Sequence, residues 1–222
     1  MNLVTFESLL ISAERLSIPR KFIEIWIPKD KFVSAELIEN SLSVTRADEP
    51  YFGFGFGPKP KLDPRWTQCA ITRSTPQEVT SNFELVGQWD AYGIETQNFG
   101  IEYQLCTDFQ LINNLIENNA PELSIRAEDN EVIAWVQVDN SAFGAICKWE
   151  SGGHVLSAIF VKKEKRGKGL GKLITKALVS EALKRKIDYV ALGVMAKNDL
   201  AIATYKSVGF EELGKFNSFK TK

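Results

Sequence analysis

A basic, glycine-rich stretch, residues 161–171, carries the residue types best suited to chemistry in this sequence. The apolar residues before it predict a buried strand, and the apolar residues after it recur at helical spacing. A helix start has backbone N–H groups without partners and about half a positive charge from the helix dipole. Glycines let such a backbone approach an anion closely, and Arg166, Lys168 and Lys172 add charge. The stretch therefore predicts a phosphate site, which a diphosphate fits best.

Known phosphate-binding motifs differ in how they space their glycines. The stretch lacks the G-x-x-x-x-G-K-[ST] frame of a P-loop, and its G-x-G-x-G pattern is not the Rossmann G-x-G-x-x-G. Arg166-x-x-Gly169-x-Gly171 instead resembles the R/Q-x-x-G-x-G/A motif of the GNAT (Gcn5-related N-acetyltransferase) superfamily. In that family the motif holds the diphosphate of acetyl-CoA. Taken alone, the stretch also fits an ordinary solvated turn from a strand to a helix.

A second stretch, residues 198–210, resembles the GNAT motif N-x-x-A-x-x-x-Y-x-x-x-G-F. Asn198 is a good helix N-cap, Gly209 is well placed as the C-terminal cap, and Tyr205 lies on the same helical face as Asn198. A capped helix with a packed tyrosine would explain these residues without chemistry. It would not explain why they follow the first motif at the family's spacing, with a predicted strand between. The sequence departs from the family in having Lys163 where proline is usual.

The resemblance implies the GNAT acyl-CoA N-acyltransferase fold, a mixed α/β (α+β) architecture in which helices flank a central, twisted, mostly antiparallel sheet. We expect residues 66–222 to form the acetyltransferase domain. Residues 1–65 are expected to form a small N-terminal α/β extension of unassigned role. The motifs cover only residues 155–210, and the part before them agrees with the family in the order of its predicted elements.

Outside the motifs, periodicity and capping signals predict the remaining elements. These are a helix over 3–16, a strand over 22–27, a helix over 31–42, a helix from Pro76 to Ala91 and a loop over 92–103. Residues 51–60 alternate phenylalanine with glycine, but no helix pattern follows them. We therefore interpret this segment as an extended structural tether and not as a phosphate loop. No internal repeat is recognised between residues 1–65 and the rest.

The resemblance also implies roles for individual residues. Backbone groups near Ile159, Phe160 and Val161 would bind the pantetheine arm of the cofactor, and Asn198 would contact the same arm. The residues of the turn that would hold the diphosphate are Arg166, Gly167, Lys168, Gly169, Leu170, Gly171 and Lys172. Tyr205 would be the acid that protonates the departing thiolate.

The reaction implied is transfer of an acetyl (acyl) group from acetyl-CoA to an amine of a small molecule or peptide, by direct attack without a covalent enzyme intermediate. An amine is protonated near neutral pH, so it must lose a proton before it attacks. His154 is the candidate base because its ordinary pKa suits this task. Glu150 acting through water is an alternative, and His154 as a turn residue without a catalytic role is another.

Composition limits the other classes of function. The formal net charge of −1 gives no global basic field for nucleic acid. The three cysteines are far apart and the sequence has one histidine, so we expect neither a disulfide framework nor a metal site. No signal peptide or membrane-spanning run is recognised, and we expect a cytoplasmic protein with no membrane partner.

Two other functions stay open at this point. The chain could be a non-catalytic module with this fold that binds acyl-CoA or a partner protein, with residues 1–65 as the interaction element. It could also use its turn for another nucleotide, ATP or NAD. The identity of the amine is undetermined, and residues 1–65 would allow a homodimer interface.

Overall fold

The computed structural model describes residues 2–123 and 125–222, which divide into two compact units. The first unit comprises the described residues up to Ala91, together with Gly193–Asn198 and Glu212–Lys222. The second comprises the described residues of Tyr92–Leu192 and Asp199–Glu211. The predicted functional boundary between residues 65 and 66 is a different division, and it stays a prediction.

Five helices and twelve strands make up the described residues. The helices are α1 (Phe6–Arg15), α2 (Arg20–Trp26), α3 (Phe109–Asn119), α4 (Leu170–Lys184) and α5 (Asp199–Val208). The strands are β1 (Asn2–Leu3), β2 (Phe32–Ile38), β3 (Ser41–Arg46), β4 (Phe52–Phe56), β5 (Gln68–Thr72), β6 (Phe83–Glu95), β7 (Gln104–Leu105), β8 (Val132–Val138), β9 (Ala142–Lys148), β10 (His154–Val161), β11 (Tyr189–Met195) and β12 (Glu211–Thr221). None of these helices is long and apolar enough to cross a membrane.

The sheet of the first unit has the strand order β1-β2-β3-β4-β5-β12, followed by residues 83–91 of β6. Strands β1 to β4 pair antiparallel in this order, as do β5 and β12, whereas β4 and β5 run parallel with Phe52 opposite Gln68. Helix α1 packs against α2, β1 and β2. The last strand of the chain thus completes the sheet of the first unit.

Strand β4 shows why phenylalanine and glycine alternate in residues 52–56. Phe54 and Phe56 are buried, and each meets the ring of Phe22 from α2 edge-on, with centroids 5.7 Å apart. On the other face of the strand, a Cβ on Gly53 would come within 2.0 Å of the Trp66 ring. The phenylalanine side therefore forms the core and the glycine side makes room for Trp66. The segment is extended, as predicted.

The second unit has the strand order β7-β8-β9-β10-β11, with residues 92–95 of β6 beside β11. Strands β7 to β10 are antiparallel, whereas β10 and β11 run parallel with Val155 opposite Ala191. Helix α4 packs against β8, β9, β10 and α5. Each unit is thus a sheet with flanking helices, which is the mixed α/β architecture that the sequence predicts.

The two units repeat one arrangement of elements. In each, a two-residue strand and helical structure precede three antiparallel strands, and the chain then crosses over to a parallel fifth strand. Each sheet then receives the sixth strand of the other half of the chain, because β12 pairs with β5 and the end of β6 lies beside β11. Even the turn sequences agree, since Ile38-Glu39-Asn40-Ser41 is matched 100 positions later by Val138-Asp139-Asn140-Ser141. The expectation of no internal repeat is therefore wrong.

Three predicted elements of the first unit are also wrong. Residues 22–27 lie mostly in helix α2, because the buried side chains Phe22, Ile23, Ile25 and Trp26 fit helical spacing as well as a short apolar run. Residues 31–42 form β2 and the start of β3, joined by a turn in which Glu39 has a φ of 51°. Residues 77–80 form a single 3-10 turn, and the predicted helix to Ala91 is replaced by β6. Pairing within the sheet overrides the local helix signal there.

Candidate functional site

Strand β10 contains a bulge immediately before the basic turn. Ser157 is opposite Ala145 and Phe160 is opposite Phe143, so three steps along β10 correspond to two along β9. The extra residue is accommodated where Ala158 has a φ of 48°. A non-glycine residue in that region costs about 1–2 kcal/mol. A bulge leaves its extra residue outside the ladder, so backbone groups near Ala158 and Ile159 are available to other partners.

Gly144 of β9 lies opposite this bulge and makes it compatible with the helix above. A Cβ on Gly144 would come within 2.6 Å of Leu178 Cδ1, from α4, and within 3.3 Å of Ile159 Cγ1. Glycine therefore lets α4 approach the sheet while Ile159 keeps its position. Nothing in the sequence pattern predicts the bulge, because alanine gives no signal for a left-handed backbone.

The turn after β10 leads directly into the N-terminus of α4. Residues Lys163–Lys165 form a 3-10 turn, and Gly167 and Gly169 both have a φ of 77°. The first intrahelical bonds run from the N–H groups of Lys172 and Leu173 to Gly169 O, at 3.0 and 3.2 Å. No side chain caps this helix, so its first N–H groups point away from the helix without an intrahelical acceptor.

The surroundings of these glycines are open. A Cβ on Gly167, Gly169 or Gly171 would meet no atom within 4 Å. At Gly167 and Gly169 glycine is required by the positive φ, and not by crowding. Lys168 and Lys172 are exposed beside them. The arrangement combines unpaired N–H groups, a helix dipole and positive charge, which is what an anion site requires.

The Arg166 side chain is hydrogen-bonded to two backbone carbonyls of the protein. Its Nε donates to Val161 O at 3.1 Å, and its Nη2 donates to Asn119 O at 2.9 Å. The guanidinium thus joins the end of β10 to the end of α3. Any contribution of Arg166 to anion binding comes from its backbone and its charge. Asn119 was not predicted as a site residue, and an isolated asparagine in a helix gives no sequence signal.

Tyr205 lies on α5, which packs against α4. Its ring is half-buried and lies 5.9 Å from the ring of Phe210, centroid to centroid. Burial raises the pKa of Tyr205 to about 12, so its hydroxyl stays protonated near neutral pH. Asn198 immediately precedes α5, is exposed, and donates its backbone N–H to Met195 O at 2.9 Å.

His154 begins β10, at the opposite end of the strand from the turn. At about 3.3 Å per residue it lies roughly 23 Å from Val161 and about 10 Å from Ser157 at the start of the bulge. Burial, and to a smaller extent the charge of Lys148, lowers its pKa. The imidazole is therefore neutral near pH 7. Glu150, the alternative base, lies in the turn before His154 and is also at this end.

The cysteines take no part in the arrangement. Cys69, Cys106 and Cys147 are buried free thiols. Burial raises the pKa of Cys69 and of Cys147 to about 12, so these two are not thiolates at neutral pH. Among residues 2–123 and 125–222, no group of three or more His, Cys, Asp or Glu side chains is placed to hold a metal ion.

Comparison with known proteins adds independent information. Residues 89–210 match the model of the acetyltransferase (GNAT) family, which is more than half of the chain. A segment of 61 residues is 36% identical to an uncharacterized N-acetyltransferase of Dictyostelium discoideum. That match spans 28% of this chain and 28% of its relative, and it leaves most of both proteins uncompared.

Solved structures resemble the chain over most of its length. A GCN5-related N-acetyltransferase from Kribbella flavida has a TM-score of 0.55 and 12% identity, covering 95% of either chain. One from Sphaerobacter thermophilus also has a TM-score of 0.55, with 10% identity, and the match covers 82% of this chain and 76% of that one. At these identities the similarity establishes the fold. The family model and the shared fold together show that this chain belongs to the acetyltransferase (GNAT) family.

Proposed function

We propose that this chain transfers an acetyl group from acetyl-CoA to an amine of a small molecule or peptide, by direct attack without a covalent intermediate. The observation that carries the proposal is the N-terminus of α4. It presents uncapped N–H groups after two glycines of positive φ, with exposed Lys168 and Lys172 beside them. In this family such a turn is expected to hold the diphosphate of the acyl donor.

The bulge in β10 supports a position for the reactive end of the donor. Backbone groups around Ala158 and Ile159 lie outside the ladder with β9, two to three residues before Val161. Groups free of the ladder can hydrogen-bond to the amides of an extended arm and polarise a carbonyl. We assign Ile159 to the pantetheine arm on this basis. Phe160 and Val161, which follow the bulge and pair with β9 again, are assigned to the same arm by resemblance to the family, as is Asn198.

The proposed chemistry needs two proton transfers. The neutral amine nitrogen attacks the thioester carbonyl carbon, the C–S bond breaks, and the thiolate takes the hydroxyl proton of Tyr205. Because the pKa of Tyr205 is about 12, its hydroxyl carries the proton before the reaction, and the phenolate left after the transfer recovers a proton from water. The proton lost by the amine goes to a base, for which His154 is the proposed residue, acting through water because the bulge is about 10 Å away.

The proposal is tested by calorimetric titration of acetyl-CoA into the wild type, Gly171→Asp and Gly171→Ala. Gly171 is the second residue of α4, where an aspartate is compatible with the helix dipole but places a negative charge among the N–H groups. We expect one molecule of acetyl-CoA per wild-type chain and no measurable binding to Gly171→Asp. Gly171→Ala is the matched control and keeps its affinity, because the R/Q-x-x-G-x-G/A motif admits alanine there. Absence of binding to the wild type, or normal binding to Gly171→Asp, would reject this site.

A second candidate is a binding module that does not turn over. It is favoured by the position of both candidate bases, His154 and Glu150, at the end of β10 away from the turn. Release of free thiol from acetyl-CoA, measured with and without a panel of amines, distinguishes the two. Thiol release that depends on an amine supports the enzyme, and tight binding without release supports the module.

A further inference from the structure

Asn119, the last residue of α3, holds the basic turn from outside. Its side-chain Oδ1 accepts a hydrogen bond from the backbone N–H of Lys163 at 3.1 Å. Its backbone carbonyl accepts a second bond, from Nη2 of Arg166, at 2.9 Å. One residue of α3 is thus bonded to both the first and the last residues of the segment 163–166, which leads into Gly167.

Helix ends explain why these bonds form. The last carbonyls of a helix lack intrahelical partners and carry partial negative charge, so a guanidinium is a favourable donor to them. Arg166 satisfies one such carbonyl while its Nε holds Val161 O at 3.1 Å. The C-terminus of α3 and the end of β10 are therefore bound to one side chain, three residues before Gly169.

The Asn119 amide is hydrogen-bonded at both its oxygen and its nitrogen. Its Nδ2 donates to Leu115 O at 2.9 Å while its Oδ1 accepts from Lys163, so both hydrogen bonds require the same orientation of the amide. The preceding residue, Asn118, makes the same kind of bond within the helix, from Nδ2 to Asn114 O at 2.7 Å. Asn118 is exposed, and its side chain bonds within the helix and not to the turn. It offers a matched control one position away.

We propose that Asn119 is a positioning residue of the anion site. It fixes the backbone of Lys163 and, through Arg166, the residue before the first glycine, so the N–H groups beyond are set before a ligand arrives. Preorganisation of this kind improves affinity because less ordering is needed on binding. The assignment of the ligand as the diphosphate of CoA rests on the proposed function.

The first test compares the CoA affinity of Asn119→Ala, Asn118→Ala and Asn119→Asp by calorimetry. Loss of one hydrogen bond at a partly exposed site predicts about 3- to 10-fold weaker binding for Asn119→Ala. Asn118→Ala should bind like the wild type. Asn119→Asp keeps the acceptor for Lys163 N–H but places a negative charge at a helix C-terminus. Asn119→Asp should therefore bind CoA better than Asn119→Ala, and it should have the lower melting temperature of these two variants.

The second test needs no ligand, so it separates this proposal from the proposed function. Amide hydrogen exchange is measured on the ligand-free chain for peptides covering residues 162–170. Exchange should be faster in Asn119→Ala than in the wild type and unchanged in Asn118→Ala. Equal exchange in all three proteins would overturn the positioning role, whatever the wild type binds. Faster exchange in Asn119→Ala, together with a wild type that does not bind CoA, would keep the positioning role and reject the cofactor.

Discussion

The two units cross from one strand to its parallel neighbour in different ways. Residues 57–67 join β4 to β5 without a helix, and Trp66 from this segment covers Gly53. Residues 162–188 join β10 to β11 through the turn and α4. The strand arrangement around both crossovers is the same, so the difference lies in the connection alone.

Backbone polar groups of the first crossover are hydrogen-bonded to side chains of the same unit. The N–H of Gly57 donates to Thr72 Oγ1 at 3.2 Å, and the N–H of Lys59 donates to Ser41 Oγ at 2.9 Å. Gly57 O accepts from Thr75 Oγ1 at 2.7 Å. In the second crossover, by contrast, the start of α4 is uncapped. The shared fold provides two equivalent crossovers, and the local sequence gives the second the features that the proposed anion site needs.

The comparison predicts that Trp66 serves stability and not binding, and this is the largest effect expected. Trp66 is 1% exposed, and its Nε1 donates to Thr45 Oγ1 at 2.9 Å. Trp66→Ala should lower the free energy of unfolding by about 3–5 kcal/mol, through lost contacts and the cavity left behind. Urea unfolding followed by circular dichroism measures this.

A milder variant keeps this prediction testable if Trp66→Ala fails to fold. Trp66→Phe loses the hydrogen bond and part of the ring, so it should destabilise less while leaving the dissociation constant for acetyl-CoA unchanged. A change of more than about threefold in that constant, equivalent to about 0.65 kcal/mol, would show that the first crossover contributes to binding and would contradict the comparison.

A glycine-to-alanine substitution should have opposite effects on stability in the two crossovers. At Gly53 the new Cβ would overlap the Trp66 ring, which predicts a loss of about 1–3 kcal/mol. At Gly171 the Cβ meets nothing within 4 Å, and alanine favours the helix, which predicts a gain of about 0.5 kcal/mol. Thermal and urea unfolding of both variants test the pair. If both substitutions changed the free energy of unfolding in the same direction, the open space around Gly171 would have to be filled in solution.

Local signals account for what could be predicted in the second unit. The turn and α4 follow from glycines and helical spacing, and α5 follows from its motif, because each of these features is encoded within a few residues. The first unit was predicted less well because short apolar runs such as residues 22–27 fit both helix and strand. Periodicity also cannot show that β12 pairs with β5, since those strands are far apart in sequence.

The features of the candidate site also differ in whether local sequence predicts them. The positive φ of Gly167 and Gly169 is predictable because glycine is the residue that adopts it readily. The bulge at Ala158 and the contact of Asn119 with the turn are not, because both depend on pairing with distant elements. Sequence therefore predicts the residues of the proposed anion site, whereas the bulge and the Asn119 contact are seen only in the structure.

The smallest expected effect is a pH dependence of stability, and it arises from a titratable group that only the second unit contains. His154 is the single histidine of the sequence and lies in the second unit, so the first unit has no group of this kind. Burial, and then Lys148, lowers the pKa of His154 below its ordinary 6.5. The unfolded chain therefore binds a proton more readily than the folded one as the pH falls below 6.5. Stability present above that pH should be lost as the pH falls through the lowered pKa.

His154→Gln should flatten this part of the profile, with a change smaller than that at Gly53. Urea unfolding between pH 5 and 8 measures it, and carboxylates titrate mostly below this window. A profile unchanged by the substitution would mean that His154 has the same pKa in both states, as expected if the start of β10 is open to water in solution. The pH dependence would then no longer distinguish the second unit from the first, and the proposed role of His154 as a base would depend on its ordinary pKa.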